Sequence, residues 1–471
     1  MTLPNHQTKI VATIGPSSES QEMLERLIRA GLNIARLNFS HGDFAGHGER
    51  IARIRAAERA TGRRVAIMAD LPGPKMRLGT IKPEPIQLLA GECFTLTSDE
   101  IVGARSRVST TFARLPLVVK TGDRLFLNDG LVELVVEAVA GHDVECTVAV
   151  GGELRSKKGL NLSGIDLGIS AFTDQDRACL EFALDRGVDA VSQSFVETAA
   201  DIDAVRAAAE RLGKAPFIIA KIERADALEH FDEILQAADG IMVARGDLGV
   251  ELPIEQIAVI QKNLIARARR VGKPVIIATQ MLESMTTSRL PTRAESTDVA
   301  NAILDGTDAI MLSAESATGR FPEEAVAMLA KIAAYTEANR PQPPFDRPDV
   351  TSGQPTTAAE AMASVVAHAL ASVPCAAVFV PTTTGATPRM LSRFNAPVWI
   401  VALSRDAAVC QGLTFSSGVY PVHVARQPER WGEFIREWIR EHQLPGALAM
   451  LAAGPSAHHA DDNHRLEVLR L

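Results

Sequence analysis

The stretch FIIAKIERADALEHFDEILQAADGIMVARGDL, residues 217–248, holds two short apolar runs with a helical segment between them. FIIAKIE (217–223) and GIMVARGDL (240–248) are rich in Ile, Val, Ala and Met and are bounded by turn chemistry. Runs of that kind read as strands buried on both faces. The same unit recurs along the chain. KIVATIGP (9–16), NIARLNFSH (33–41), VAIMAD (65–70), AVSQSFVE (190–197), PVIIATQ (274–280) and AIMLSAES (309–316) complete a set of eight. The segments between them have the other period. SQEMLERLIRAG places Met23, Leu24, Leu27 and Ile28 on one helical face and stops at Gly31. IEQIAVIQKNLIARARRVG places Ile254, Ile257, Leu264, Ala268 and Val271 on one face and stops at Gly272. Eight strands, each followed by a helix, predict an α/β fold of the closed (β/α)8 TIM-barrel type. An open doubly wound sheet is the competitor, but eight units suit closure better.

The period fails twice. ADLPGPKMRLG (69–79) ends the third run on Asp70, crosses two prolines and two glycines, and presents Lys75 and Arg77. Beyond it FTLTSD, RLFLNDGLVELVVEAV and DVECTVAVGGEL alternate or run β-branched around N-D-G and G-G turns. They predict an inserted small β-barrel lid domain over 71–168, with Leu71–Leu78 as its hinge. RPQPPFDRPDVTSGQP after Asn339 reads as a proline-rich linker. An αβ pattern then resumes with CAAVFVP, VWIVALS, VYPVHV and ALAMLAA. The expected organisation is a barrel from 1–70 and 169–340, the inserted domain, and a C-terminal open-sheet α/β domain over 357–471.

Composition excludes several classes. The chain is 46% hydrophobic and 23% charged, with a formal net charge of −8, which is ordinary for a globular protein and argues against nucleic-acid binding. Five scattered cysteines without a C-x-x-C pair argue for reduced thiols rather than disulfides or zinc. The N-terminus lacks a signal peptide, and no apolar run approaches the roughly 20 residues of a membrane span. A cytoplasmic protein is expected.

Chemistry in such barrels gathers at the carboxyl ends of the strands. Residues two apart in a strand face the same side, so AKIE points Lys221 and Glu223 together into the mouth. Asp247, near the end of the next run, falls roughly 5 Å away, one strand spacing. Two carboxylates without His or Cys suit a hard cation such as Mg2+, and Lys221 adds positive charge for an anionic substrate. The plainer possibility is a buried Lys221–Glu223 ion pair. Arg36, Asn38 and Ser40 share a second face, and a guanidinium there suits phosphate or carboxylate unless it merely neutralises a neighbouring Asp. Gly246–Asp247 could offer backbone N–H groups to an anion. Thr279 and Ser313, with Glu315 on the same face as Ser313, could order water or cap a helix. His41 after a strand is more often structural. The P-loop, protein-kinase, serine-hydrolase and zinc-protease motifs are missing.

KIVATIGP, ARLNFSHG, KKGLNLSG, AKIE, MVARGDLGVELP, GKPVIIATQMLESM, PTRAESTDVANAILDGTDAIMLSAESATG and FPEEAV, in that order, resemble the pyruvate kinase family. The resemblance implies the three-part fold read above, with a catalytic barrel, an inserted β-barrel lid and a C-terminal regulatory domain, and Mg2+-dependent phosphoryl transfer (Mn2+ being a substitute) from phosphoenolpyruvate to ADP, giving ATP and pyruvate. It implies Glu223 and Asp247 as metal ligands and Lys221 as the group that stabilises transferring charge. Arg36 would hold the phosphate, the Gly246–Asp247 backbone the substrate carboxylate, and Thr279 the substrate and a protonating water, with Ser313 in the same relay. Asn38, His41, Arg77 and Lys158 would lie near the nucleotide. Potassium-requiring members carry an acid where Lys75 stands and a Thr where Leu71 stands, and their cation also uses the equivalents of Asn38, Ser40 and Asp70. Lys75 therefore implies an enzyme that does not require K+, its ammonium replacing the cation.

VPTTTGATPR looks like the family's sugar-phosphate loop, through Thr382, Thr383, Thr384, Gly385 and Thr387. AAGPSAHHADDNHRLEV departs from the glycine-rich pattern of members activated by fructose 1,6-bisphosphate, so a sugar monophosphate such as glucose 6-phosphate, or no effector, is expected instead. A homotetramer is implied as well. A metal-dependent aldolase or lyase working through a pyruvate enolate is the alternative, and a non-catalytic sugar-phosphate sensor a third reading.

Overall fold

The computed structural model describes residues 3–340, 358–454 and 464–471. The expected linker lies largely in 341–357 and much of the AAGPSAHHADDNHRLEV stretch in 455–463, outside the described residues.

Eight parallel strands close into a barrel: Lys9–Thr13, Ile34–Asn38, Ala66–Leu71, Ala190–Gln193, Phe217–Ile222, Gly240–Ala244, Val275–Ala278 and Ala309–Leu312. The first pairs with both the second and the eighth, so no edge is left. Runs such as KIVAT, AIMADL, FIIAKI and GIMVA are buried along their whole length, because helices cover the outside and side chains fill the inside. The first helix, Gln21–Ala30, is capped by Ser20, which accepts from Met23 N. It buries Leu24, Leu27 and Ile28 and ends at Gly31, whose φ of 131° suits glycine.

Several strands end sooner than the apolar runs. GIMVARGDL stops at Ala244 and continues as a helix, Arg245–Glu251. AIMLSAES stops at Leu312 and turns into Ala314–Ala317. PVIIATQ stops at Ala278, because Thr279 (φ 77°) and Gln280 (φ 55°) are left-handed and cannot continue an extended chain. The helix expected through Ile254 begins at Ile257 and runs to Arg270. Ile254 is 75% exposed and Val271 42% exposed, so only Ile257, Leu264 and Ala268 of that face are buried.

The inserted lid is a six-stranded, mostly antiparallel sheet with its own core, including Phe94, Leu125, Val136 and Leu162. Asn128, Asp129 and Gly130 all take positive φ in its main hairpin, as an N-D-G turn does. Barrel side chains hold both crossings to the lid. Asp176 Oδ1 accepts from Gly73 N at 2.9 Å on the way out. Asp201 Oδ1 accepts from Ala171 N at 3.0 Å on the way back.

The C-terminal sheet has five strands, Val419–His423, Trp399–Ser404, Ala377–Pro381, Leu448–Ala453 and Arg465–Arg470 in spatial order. The last is antiparallel and was not anticipated, because RLEVLR alternates charges with apolar residues after an acidic run. Among the described residues no helix is long and apolar enough to cross a membrane, and all five cysteines are free thiols.

The C-terminal domain closes the amino end of the barrel. Phe415, fully buried, stacks on Phe217 with ring centroids 5.1 Å apart, under Val11, Met68, Met242 and Ile276 of the barrel interior. Lys9 Nζ donates to Val419 O at 2.7 Å, and Ser417 N donates to Asp308 Oδ1 at 2.9 Å. Phe415→Ala should therefore cost about 3 kcal/mol by opening a cavity at this seam. Urea unfolding followed by tryptophan fluorescence would read the loss as a lower midpoint.

Candidate active site

At the carboxyl end of the barrel, three polar side chains share one level across adjacent strands: Asn38 pairs in register with Asp70, and Asp70 with Ser192. Asp70 is the hub. Its Oδ2 accepts from Arg36 Nε at 3.0 Å and also from Arg36 Nη2, and its Oδ1 accepts from Ser192 Oγ at 2.7 Å. Arg36 Nη1 donates to Thr13 Oγ1 at 2.8 Å. Burial alone would raise the Asp70 carboxyl, but Lys221 and Arg36 outweigh it and hold the group well below the usual carboxylate range. Arg36 thus does neutralise an Asp, and both of its terminal nitrogens are engaged, one by Asp70 and one by Thr13.

Lys221 lies between carboxylates. Its Nζ is 3.5 Å from Asp70 Oδ1 and 3.2 Å from Glu223 Oε2, and it donates to Ser194 Oγ at 2.6 Å. Burial would lower its pKa, but Asp70, Glu223 and Asp247 together raise it, so the ammonium stays charged. The Lys221–Glu223 ion pair exists, and it is part of a larger cluster. Glu223 Oε1 accepts from Phe195 N at 2.7 Å. Its Oε2 is buried and accepts no hydrogen bond. Burial pushes the Glu223 carboxyl up, Lys221 pulls it down, and Asp247 pushes it up again.

Asp247 sits in the first turn of the Arg245–Glu251 helix, exposed, rather than on a strand end. Gly246 beside it is required by space, since a Cβ there would meet Thr279 Cγ2 at 2.6 Å. Thr279, β-branched with positive φ, is a strained residue. Arg245 Nη2 fixes its carbonyl at 2.9 Å and Arg245 Nη1 reaches Asp298 Oδ1 at 2.8 Å. Ser313 precedes the short helix Ala314–Ala317, and its N–H donates to Glu315 Oε2 at 2.7 Å. Glu315 does not share a strand face with Ser313 as expected. It is fully buried and also accepts from Leu282 N at 3.1 Å, a structural task.

The cations form a rim. His41 is exposed, and burial, Lys75, Arg77 and Arg36 all lower its pKa. Lys75 is exposed by surface area, yet the surrounding protein and Lys221 lower its pKa while Asp70 and Glu223 oppose them. It stands within the field of the buried cluster. Arg77 Nη1 donates to Lys157 O at 3.1 Å, and Arg77 pairs with Gly159, bringing Lys158 alongside. Asn38 Oδ1 accepts from Ser40 N at 3.1 Å. In the C-terminal domain, Thr382 Oγ1 accepts from Gly385 N at 2.8 Å and Thr384 Oγ1 from Ala386 N at 3.4 Å, which orders the turn ahead of the helix Ala386–Ser392. Thr383 and Thr384 are exposed and Thr387 half-buried, away from the barrel mouth.

Ser192, Ser194 and Arg245 were not singled out from the sequence. AVSQSFVE carried the signal for the two serines, since they alternate on one face.

Among the described residues no cluster of three or more His, Cys, Asp or Glu could hold a metal alone. Glu223 and Asp247 nevertheless fit Mg2+, which binds through one or two carboxylates plus substrate oxygens and water. Glu223 Oε2, buried, ion-paired to Lys221 and accepting no hydrogen bond, is the oxygen such an ion would engage.

A TIM barrel with paired carboxylates, a buried lysine and a cationic rim under an inserted lid defines a barrel protein built to handle anions. Residues 5–326 match the pyruvate kinase barrel domain and 360–455 the pyruvate kinase alpha/beta domain. A pyruvate kinase of Thermococcus litoralis is 48% identical over 89% of each chain. One of Mycobacterium tuberculosis is 41% identical over 87% of this chain and 86% of its own. A crystal structure of a pyruvate kinase from Cryptosporidium parvum superposes with a TM-score of 0.90 at 33% identity, covering 99% of this chain and 96% of that one. The chain belongs to the pyruvate kinase family.

Proposed function

We propose that the chain transfers the phosphoryl group of phosphoenolpyruvate to ADP with Mg2+, giving ATP and pyruvate, without a requirement for K+. The observation that carries this reading is Lys221 Nζ, buried between Asp70 and Glu223 at the barrel mouth. In the reaction the bond between phosphorus and the enol oxygen breaks and a bond to the ADP β-phosphate oxygen forms. The enolate left behind takes a proton at carbon. Such transfers depend on position and charge neutralisation more than on covalent help.

Lys221 neutralises the charge shared by the transferring phosphoryl and the enolate. Arg36 binds the phosphate, and the Gly246–Asp247 backbone binds the substrate carboxylate, a role supported by the missing Cβ against Thr279. Thr279 binds the substrate and orders the protonating water, with Ser313 in the relay. Asn38, His41, Arg77 and Lys158 line the nucleotide side, supported by the shared field of His41, Lys75 and Arg77. Glu223 and Asp247 hold Mg2+ (or Mn2+), which would supply positive charge to substrate oxygens.

Lys75 provides the positive charge that K+ brings elsewhere. The buried, apolar Leu71 beside Asp70 supports this, since it offers a side chain that cannot ligate a cation. Thr382, Thr383, Thr384, Gly385 and Thr387 are proposed to receive a sugar monophosphate, on the strength of the exposed Thr383 and Thr384. A homotetramer draws support from the exposed apolar Ile254 and Val259. The relatives give no support to the lyase alternative.

The test is ADP-dependent pyruvate release from phosphoenolpyruvate, coupled to NADH oxidation. It should vanish on chelation, return with Mg2+ or Mn2+, and respond to glucose 6-phosphate as a less sigmoidal substrate curve. Pyruvate release without ADP, or undiminished release in chelator, would contradict the reading.

A further inference from the structure

Arg224 is the largest fully buried side chain among the described residues, and phosphoryl transfer as set out above does not use it. It follows Glu223 directly in the chain. Its Nη2 donates to Ile165 O at 3.0 Å, on the segment that returns from the lid, and to Asp226 Oδ2 at 3.2 Å. Its Nε lies 3.2 Å from Glu197 Oε1. Two carboxylates of the barrel therefore aim a guanidinium at a lid carbonyl. The planar guanidinium donates from Nη2 to two of these partners and ion-pairs through Nε, without a hydrogen bond, with the third, which an ammonium cannot do in the same geometry.

A second contact lies on the neighbouring loop. Ser163 Oγ, also on the returning segment, donates to Glu251 O at 3.0 Å. Glu251 ends the helix that carries Asp247, one turn further on. The two loops are tied to each other, since Ala225 N donates to Glu251 Oε2 at 2.9 Å. Residues 163–165 thus grip both loops that hold the paired carboxylates, each within one helical turn of its carboxylate.

We propose that Arg224, with Ser163 and Glu251, is a clasp that makes the spacing of Glu223 and Asp247 depend on the seating of the lid. Arg224 is a positioning residue: it touches neither substrate nor metal and acts through Glu223 and Ile165. The clasp rests on the reading of Glu223 and Asp247 as the metal pair. When the lid is seated, the two carboxylates are held at one separation; when it lifts, Arg224 and Ser163 let go and the separation relaxes.

The test uses Mn2+ alone, titrated into the full-length protein and followed by the electron paramagnetic resonance of the free ion. Hydrogen exchange of the amides at 163–169 is measured in parallel. Arg224→Lys should weaken Mn2+ binding about tenfold and speed exchange in that segment, as the loss of one or two buried hydrogen bonds would. Ser163→Ala, a milder change that leaves the buried charges alone, should shift both readouts in the same direction by about threefold. Under turnover, Arg224→Lys should raise the Mg2+ activation constant and the KM for ADP more than it lowers kcat. Glu223→Gln separates the two readings. If it binds Mn2+ as the wild type does, the metal assignment falls and the clasp with it. If it loses Mn2+ while Arg224→Lys and Ser163→Ala keep wild-type affinity, the clasp alone is overturned. Faster lid exchange with unchanged Mn2+ affinity in both variants also overturns it.

Discussion

Replacing Lys221 by Met should lower kcat for ADP-dependent pyruvate release by about a thousandfold, as the loss of a preorganised charge at a transition state does. The fold should survive. Asp70 keeps two bonds from Arg36 and one from Ser192, and Glu223 keeps the Phe195 N–H. The position is specific because, among the described residues, Lys221 is the only cation that ion-pairs with both Asp70 and Glu223. The KM for phosphoenolpyruvate should move much less than kcat, since Arg36 and the Gly246–Asp247 backbone are untouched. Steady-state kinetics of the purified variant would measure this. A loss of less than tenfold would mean that the charge on Lys221 is not spent on the chemical step.

The second large effect belongs to Lys75. Lys75→Glu should reduce turnover in tetramethylammonium buffer by about a hundredfold, and K+ should restore much of it. The reason is Coulombic. Asp70 and Glu223 already act on Lys75, and an added carboxylate would put a third negative charge near the phosphoryl path. A monovalent cation could then be drawn in to neutralise it. Leu71 is fully buried and apolar, so Leu71→Thr added to Lys75→Glu should deepen the K+ response by offering one more oxygen. Rates in matched K+ and tetramethylammonium solutions would measure the effect. A Lys75→Glu enzyme that works equally well in both would show that Lys75 stands outside the reaction's field.

Much of this was legible because period and burial agree. Apolar runs separated by helical segments are what a barrel strand needs on both faces, and all eight became strands. AKIE foretold the Lys221–Glu223 pairing because alternation in a strand is rigid. The limits also have physical causes. Strand ends are set by backbone conformation, and nothing in ATQ reveals that Thr279 and Gln280 turn left-handed. Asp247 looked like a strand residue because GIMVARGDL is apolar up to its last turn, yet a helix begins at Arg245. Ile254 and Val271 matched a helical face by spacing but lie at the ends, where the face no longer meets the barrel. Ser192 and Ser194 carry no charge and so drew no notice, although they hold Asp70 and Lys221 in place. The last strand was hidden because RLEVLR lies at an edge, where charged residues are normal.

The barrel is proposed to transfer the phosphoryl group with a built-in cation, Lys75, in place of K+. The most direct measurement is the initial rate of ADP-dependent pyruvate release from phosphoenolpyruvate with Mg2+ in tetramethylammonium buffer, with and without added K+. Full turnover is expected in both. A rate that collapses without K+ and returns when it is added would contradict it.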